Sequence, residues 1–451
     1  MQRFFILFNQ TYRMKKLYIE TYGCQMNVAD SEVVASILSE DYTIVSEIKE
    51  ANLILLNTCS VRDNAELRIR KRLRELGALK KRKPGLQIGL LGCMAERIKE
   101  KLLKEEAALD FIAGPDAYRE LPQLIEEATG GHIAFNVELS KTETYDDIDP
   151  VRYDSNGLSA FISIMRGCNN FCSYCVVPYT RGRERSREPQ SILNEANILI
   201  EKGFKDITLL GQNVNSYQWN EEGALLNFAG LIEKVALLSP HVRVRFATSH
   251  PKDISDELIE TIAQYYNICS YIHLPFQAGS NNMLKKMNRG YTREYYLERI
   301  KTIRRIIPDC AITTDIIAGF CGETETDHQE TLTLMKEVGF DAAYMFKYSV
   351  REGTMAQKHF ADDVPEEVKS RRLEEIIALQ QELSLTSNKA DIGKEVEVLV
   401  EGASKRSKEH HFGRTSQNKV VIFPKMDSVK GDYVRVKITD CTAATLKGKI
   451  I

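Results

Sequence analysis

Residues 168–175 read Cys168-Asn169-Asn170-Phe171-Cys172-Ser173-Tyr174-Cys175, three thiols in a short loop directly after the strand-like run Ser159–Met165. Thiolates are soft ligands that favour iron–sulfur clusters, zinc or copper(I). A structural zinc wants a fourth ligand nearby, and no His or Cys occurs between Cys175 and Asn215. Three cysteines without a local fourth favour a [4Fe–4S] cluster with one iron left open, although the spacing by itself leaves zinc as an alternative. The surrounding chain gives the loop its setting. Strand-like runs at Ser159–Met165, Asp206–Leu210, Val242–Ala247, Ser270–Leu274, Ile312–Ala318 and Ala342–Tyr348 alternate with helical periodicity such as Tyr295–Ile306 and Glu366–Leu383. Strand–helix units of about 35–45 residues predict a partial or full TIM-type barrel over 158–388, with its chemistry on loops at the carboxyl ends of the strands. A doubly wound open sheet has the same periodicity.

Upstream, residues 14–130 show the same alternation in Leu17–Thr21, Asn52–Asn57, Gln87–Leu91 and Asp110–Ala113, which predicts a parallel α/β domain. Cys24, Cys59 and Cys93 each fall just past the end of one of these strands. The carboxyl ends of parallel strands share one edge, where such sheets place ligands, so three distant cysteines converge and a second iron–sulfur site is expected. Residues 131–157 turn acidic and read as a linker. Residues 389–451 hold short strand candidates (Val396–Glu401, Val420–Phe423, Tyr433–Thr439, Leu446–Ile451) that suit a small β-barrel. Residues 1–13 read as an extension or a misassigned start, since a strand-like run follows Met14.

The chain has 451 residues, and its 61 Lys/Arg nearly balance 63 Asp/Glu, which excludes a histone-like polycation. Ten cysteines are too few for a disulfide-stapled scaffold of this size. No apolar run is long enough to span a bilayer, and the absence of a secretory signal pattern makes a cytoplasmic, membrane-free protein the expectation. No coiled-coil heptads occur, so a monomer is expected. The positive charge is concentrated: residues 62–104 carry 14 Lys/Arg against 5 Asp/Glu, with Arg68, Arg70 and Arg72 on one predicted helix, and residues 389–451 carry 13 against 8. Arg181, Arg183, Arg185 and Arg187 follow the cysteine loop at alternate positions. Such clusters fit phosphate contacts to RNA, and a solvated helix face is the bland alternative.

Polar residues also gather at the other strand ends, in Leu210-Gly211-Gln212-Asn213-Val214-Asn215-Ser216, Thr248-Ser249-His250-Pro251 and His273-Leu274-Pro275-Phe276-Gln277. His250 and His273 read either as general bases or as buried orienting groups. Cys269, Cys310 and Cys441 lie in or beside apolar runs, and Cys321 sits in the loop Gly319-Phe320-Cys321-Gly322; all four read as small fillers.

The CxxxCxxC order of Cys168, Cys172 and Cys175, with Tyr174 before the last cysteine, resembles the signature of radical S-adenosylmethionine (SAM) enzymes. Cys24 in Tyr22-Gly23-Cys24-Gln25-Met26-Asn27, Cys59 in Asn57-Thr58-Cys59 and Cys93 in Gly92-Cys93-Met94 resemble the N-terminal domain of the methylthiotransferases, and residues 389–451 resemble the RNA-binding β-barrel called TRAM. Tyr174–Gly182, Leu210–Asn215 and Thr248–Pro251 are most similar to the tRNA-modifying branch of that family. Cys321 departs from the proline usual in the family at that place.

The resemblance implies two [4Fe–4S] clusters, one on Cys168, Cys172 and Cys175 and an auxiliary one on Cys24, Cys59 and Cys93. It implies two SAM per turnover, the first cleaved reductively to a radical that takes hydrogen from C2 of an adenine, the second supplying a methyl group to sulfur. The implied substrate is N6-isopentenyladenosine at position 37, presented on the tRNA anticodon arm. An electron donor such as flavodoxin or ferredoxin and a sulfur source complete the scheme. Gly211, Gln212 and Asn213 would meet the methionine part of SAM, Ser249, His273 and Gln277 would face SAM or the base, and Ile316 to Gly319 would lie beside the adenine of SAM. Arg181 and Arg183 would lie near the anticodon phosphates. The same clusters would serve relatives acting on N6-threonylcarbamoyladenosine of tRNA or on an aspartate of a ribosomal protein; a non-catalytic, zinc-containing RNA-binding protein would lack the open coordination site.

Overall fold

Strands buried on both faces read as continuous apolar runs rather than alternating ones, and the middle of the first sheet is built from them. The structure is a computed structural model that describes residues 14–60, 63–132, 134–153, 156–221 and 223–451. The extension read at 1–13 lies outside these. Six strands, β1 (Lys15–Tyr22), β2 (Tyr42–Ile44), β3 (Leu53–Thr58), β4 (Gln87–Gly92), β5 (Phe111–Ala113) and β6 (Ala134–Asn136), form one sheet in the order β2-β1-β3-β4-β5-β6. Every pairing in it is parallel. All of β3 is buried, and each Leu or Ile so placed contributes roughly 1.5–3 kcal/mol. β2 and β6 have three residues each, too short to carry a sequence pattern. β6 lies inside the stretch expected to be a linker. The chain divides into two compact units: the first runs to Ser140 and takes back Ile148–Tyr153, and the second holds Lys141–Asp147 and the remainder after Tyr153.

The second unit begins with β7 (Ser159–Ser163), the two-residue ribbon β8 (Met165–Arg166) and β9 (Arg185–Ser186), then β10 (Asp206–Leu210), a hairpin of β11 (Gln218–Glu221) and β12 (Ala224–Asn227), β13 (Arg243–Ala247), β14 (Tyr271–His273), β15 (Ala311–Ala318) and β16 (Ala342–Lys347). Parallel sheets β13-β10-β7 and β14-β15-β16 are joined by a parallel bridge from Val244 to Ile268. The six parallel strands therefore stand in chain order, β7-β10-β13-β14-β15-β16. A doubly wound sheet reverses its order at a switch point; this one does not, so it is a barrel. Among the described residues no pairing joins β7 to β16, and the barrel is partial. Alternate residues (Ala160, Ile162, Ile207, Leu209, Val244, Phe246, Ile272, Ile312) pack under the helix layer, leaving their neighbours to face inward.

β17 (Glu395–Ser404), β18 (Ser407–Arg414), β19 (Val420–Pro424), β20 (Tyr433–Cys441) and β21 (Leu446–Ile450) close into a barrel in the order β17-β18-β19-β21-β20. β18, Ser-Lys-Glu-His-His-Phe-Gly-Arg, lacks apolar alternation and went unread in the sequence. The helix Glu366–Lys389 leads into this module with five residues between its end and β17. Arg243 donates to the carbonyl of Arg414 at 2.5 Å, and Arg245 to those of Thr415 and Ser416 at 2.9 Å each. Tyr433 donates to the carbonyls of Lys205 and His241, both at 3.1 Å. The module is thus pinned to the amino ends of the barrel strands.

Candidate functional site

Strand register brings the first cysteine set to one edge. Tyr22 pairs with Thr58, and Thr58 with Gly92, in adjacent strands. Cys24, Cys59 and Cys93 follow those three residues by one or two positions, and the Cys59 amide donates to the Tyr22 carbonyl at 3.0 Å. Cys59 and Cys93 are buried and Cys24 is exposed. Cys24 caps the helix Gln25–Ile37, where unpaired amides favour a thiolate. Gly23 makes the close approach possible: a side-chain carbon there would lie 3.0 Å from Cys59 Cβ and 2.1 Å from Asn27 Oδ1.

Two buried asparagines lock this edge. Asn27 Nδ2 donates to Asn57 Oδ1 at 3.1 Å, while Asn57 Nδ2 donates to the Asn27 carbonyl and to Ser31 Oγ, each at 2.9 Å. Thr58 Oγ1 donates to the Leu91 carbonyl at 2.8 Å and ties β3 to β4. Asn27 and Asn57 stand inside the quoted motifs, yet only their burial reveals the structural task. Three soft donors on one sheet edge fit an iron–sulfur cluster.

The second set sits on the loop after β8. Gly167, with φ +77°, turns the chain so tightly that a side-chain carbon would lie 2.0 Å from the Arg183 carbonyl. The loop is braced by the segment that follows helix Asn281–Lys286. The Ser173 amide donates to the Met287 carbonyl at 3.0 Å, and Asn288 Nδ2 to those of Asn170 and Phe171 at 3.3 and 3.0 Å. Burial pushes the Cys168 thiol up to about 11 and Cys175, with Cys172 beside it, to about 12. Bare thiols here hold their protons, and metal binding must displace them.

Arg289, which no sequence motif marks, donates to Cys172 Sγ at 3.2 Å, Tyr174 Oη at 3.3 Å and the Pro275 carbonyl at 2.7 Å. It is 4% exposed. A permanently charged guanidinium buried against a thiolate set offsets the negative charge that three thiolates give a cluster.

Next to this loop, the carboxyl ends of β7, β10 and β13 collect buried polar atoms that have no hydrogen-bond partner: Ser163 Oγ, Gln212 Oε1, Asn213 Oδ1, both side-chain amide atoms of Asn215, Ser249 Oγ and His250 Nε2. Buried polar groups are almost always paired, so this constellation fits a ligand rich in amino, carboxylate and hydroxyl groups, as SAM is. Asn213 is held by donating to Asp253 at 2.7 Å. His250 accepts from the Lys252 amide at 3.3 Å through Nδ1, which leaves Nε2 as an N–H donor. Burial, with Arg289 and Lys252 nearby, lowers its pKa to about 2. A ring held neutral in this way is a weak base, and its Nε2–H is left to donate.

The other expected SAM-side residues separate. His273 Nδ1 shares a proton with Thr313 Oγ1 at 3.0 Å and Nε2 lies 3.5 Å from Asp315. Gln277 is buried in the left-handed region at φ +68°, and its amide donates to the Asp315 carbonyl at 3.0 Å. Gly319 donates to Glu323 at 2.7 Å. Ile316 turns its side chain into the core under the helix layer, so Ile317, not Ile316, faces inward. Gly211 packs against Met165. Cys269, Cys310 and Cys321 are buried, Cys321 in an apolar cluster with Phe320 and Tyr348.

The basic residues also sort. Arg70 is paired with Glu66, Glu105 and Glu106, and Arg72 with Glu20 and Glu75. Arg68, Lys71, Arg74, Lys81 and Arg82 are the exposed cations of the helix Asp63–Arg82 that carries both. Arg181 is buried and Arg183 is exposed, its guanidinium 5.3 Å from the Phe171 ring. In the terminal barrel, Lys405, Arg406 and Lys408 are exposed around the β17–β18 turn.

Family models match along the chain: the uncharacterized protein family UPF0004 over residues 16–114, the radical SAM superfamily over 162–335 and the TRAM domain over 389–451. A tRNA-2-methylthio-N(6)-dimethylallyladenosine synthase of Bacteroides fragilis is 58% identical over 437 residues, 96% of this chain and 95% of that one. Proteins of the same name are 56% identical in Porphyromonas gingivalis (97% and 95% covered) and 55% identical in Amoebophilus asiaticus (97% and 92% covered). Among solved structures, the radical SAM methyltransferase TsrM of Kitasatospora setae aligns with a TM-score of 0.58 at 13% identity over 76% of this chain and 77% of that one. The cobalamin-dependent SAM radical enzyme OxsB aligns at 0.55 and 12%, over 82% and 56%. These two share the fold. Identity above one half along nearly the whole length decides the relationship, and the chain belongs to the radical SAM methylthiotransferase family.

Proposed function

We propose that this protein replaces the C2 hydrogen of N6-isopentenyladenosine at position 37 of tRNA with a methylthio group. One observation carries the reading: two separate three-cysteine sets, each at the carboxyl edge of its own parallel sheet. One such set suffices to open a C–H bond by radical chemistry; a reaction that also installs sulfur needs a second. Iron–sulfur chemistry with SAM supplies, when bound, the one-electron means of opening an unactivated C–H bond, together with the sulfur and methyl to be transferred.

The chain's own residues do the holding. Cys168, Cys172 and Cys175 anchor one cluster, with Arg289 balancing its charge, and Cys24, Cys59 and Cys93 anchor the auxiliary one, each a [4Fe–4S] cluster. The orphaned amides of Gln212, Asn213 and Asn215, with Ser249 and His250, seat SAM and fix its orientation, on which radical transfer depends. Converting C2–H to C2–SCH3 consumes a hydrogen acceptor, a sulfur atom and a methyl group. That stoichiometry calls for two SAM per turnover, a sulfur source and an electron donor of flavodoxin or ferredoxin type. Domains at 14–130, 158–388 and 389–451 carry the auxiliary site, the SAM site and the RNA grip on the anticodon arm.

A tRNA substrate and cysteines kept as thiols fit a cytoplasmic enzyme; among the described residues no helix is long and apolar enough to cross a membrane. Mass spectrometry of tRNA nucleosides from cells with and without the gene tests the reading. The 2-methylthio derivative should disappear and N6-isopentenyladenosine accumulate; unchanged nucleosides would overturn it.

A further inference from the structure

β16 is the last strand of the partial barrel, and its faces are unlike. Ala343 and Met345 pack against the core beneath the helices, and Lys347 reaches outward to Glu366 and Ser370 on the helix Glu366–Lys389. Tyr344 and Phe346 point the other way, into the barrel. There they are 58% and 46% exposed, although they lie in the middle of a strand. Register places Tyr344 beside Asp315 and Phe346 beside Ile317 of β15. The Tyr344 ring meets His273 edge to face at 5.8 Å between centroids, and His273 and Asp315 are themselves half-buried. The patch therefore consists of two aromatic faces, Ile317, the His273 imidazole and the Asp315 carboxylate 3.5 Å from it, on the inner wall of the barrel whose carboxyl ends carry the cysteine loop.

Its charge character discriminates. Among the described residues of β14, β15 and β16, no lysine or arginine faces inward, and Asp315 contributes negative charge beside Tyr344. A wall of this kind accepts an uncharged apolar group and repels a carboxylate. N6-Isopentenyl is a branched hydrocarbon on a secondary amine whose N–H a carboxylate can accept; N6-threonylcarbamoyl ends in a carboxylate and would want a cation here.

We infer that Tyr344 and Phe346 seat the N6-isopentenyl group of the substrate base and thereby set the choice between apolar and charged N6 substituents. The inference rests on the proposed methylthiolation of that base. A hydrophobic pocket separates ligands by about tenfold or more for each methylene it contacts, so the ratio of rates on two RNAs is the quantity to read.

The experiment uses the full-length reconstituted protein and anticodon stem-loop RNAs carrying N6-isopentenyladenosine, adenosine or N6-threonylcarbamoyladenosine at position 37. Wild type should methylthiolate the isopentenyl RNA at least about tenfold faster than either of the others. Tyr344→Ala and Phe346→Ser should collapse that ratio toward one, while Phe346→Leu should keep most of it. Both side chains are largely solvent-exposed, so the substitutions spare the core, and iron content reports on folding. A ratio unchanged in the variants, or rates on all RNAs falling equally, would overturn the assignment of the patch. A wild-type protein that adds no methylthio group to the isopentenyl RNA would overturn the proposed function as well, and is distinguishable because it fails before any variant is compared.

Discussion

Asn27 and Asn57 hold each other by two hydrogen bonds, one between side chains at 3.1 Å and one from the Asn57 amide to the Asn27 backbone at 2.9 Å. They lie directly under the turns that carry Cys24 and Cys59. Asn57→Ala removes three hydrogen bonds from a buried edge, those to the Asn27 side chain, the Asn27 carbonyl and the Ser31 hydroxyl. It leaves the Asn27 amide only the Thr58 carbonyl at 3.3 Å and the Ser31 hydroxyl only Thr21 at 2.8 Å, at a cost of about 1–3 kcal/mol. Urea denaturation should show a lower midpoint for the first unit, and the variant should retain less iron on the first cysteine set than on the second. An unchanged midpoint would show that the pair does not hold the edge.

Two cysteine sets imply about eight irons and eight sulfides after anaerobic reconstitution. Replacing Cys168, Cys172 and Cys175 by Ala should leave about four irons. Replacing Cys24, Cys59 or Cys93 should abolish methylthio transfer yet leave some formation of 5′-deoxyadenosine. Full iron content in the triple variant would eliminate the two-site assignment.

Arg289→Met removes a buried positive charge 3.2 Å from Cys172 Sγ. Reduction adds negative charge, so the cluster's midpoint potential should fall, by about 60 mV if the effect on the one-electron equilibrium is tenfold. A redox titration followed by electron paramagnetic resonance gives the value. Lys in place of Arg should recover part of the potential and none of the two-point bonding to Tyr174 and Pro275.

His250 has a pKa lowered to about 2 by burial and by Arg289 and Lys252, against about 6.5 in an unfolded chain. Above pH ~6.5 both states are neutral there and the residue adds no pH dependence. Below it the unfolded chain takes a proton that the folded one refuses, so stability falls with pH, by about 1.4 kcal/mol between pH 8 and 5.5. Comparing wild type with His250→Asn isolates this share. An imidazole resonance of His250 that titrates near pH 6.5 would contradict the buried geometry.

Lys405, Arg406 and Lys408 are exposed on the terminal barrel, and Arg68, Lys71 and Arg74 on the first unit. Where one of these cations neutralises an RNA phosphate, its replacement by Ala should flatten the dependence of log K on log salt by about 0.7–0.9. Filter binding across a salt series reads it. Arg70→Ala and Arg72→Ala, whose cations already face carboxylates, should change the slope less and the melting temperature more.

The sequence marked the six cysteines as candidate ligands because metal chemistry restricts residue type and spacing together, and because a strand followed by a cysteine, repeated three times, is a pattern. It disclosed barrel strands for the same reason, as apolar runs of the right length. What it hid depends on partners far away in the chain. Arg72 looks like a free cation until Glu20, 52 residues earlier, is folded against it. Arg289 occupies an unmarked turn, and its role appears only where the fold brings it to Cys172. β18 is polar along its length because its barrel is small and much of each strand meets water. Ile316 and Ile317 are adjacent and chemically alike, so only the pleat says which one faces the interior.

The hydrogen bonds that Arg243 and Arg245 donate to the carbonyls of Arg414, Thr415 and Ser416 fasten the terminal module to the barrel. A tethered domain would catch RNA anywhere within its reach. One bolted to the barrel would act as a gauge on the proposed function: the span from its basic turn to the barrel mouth is fixed, so a strand whose phosphates met that turn would present a nucleotide at a set distance along it, before any atom of the base was read.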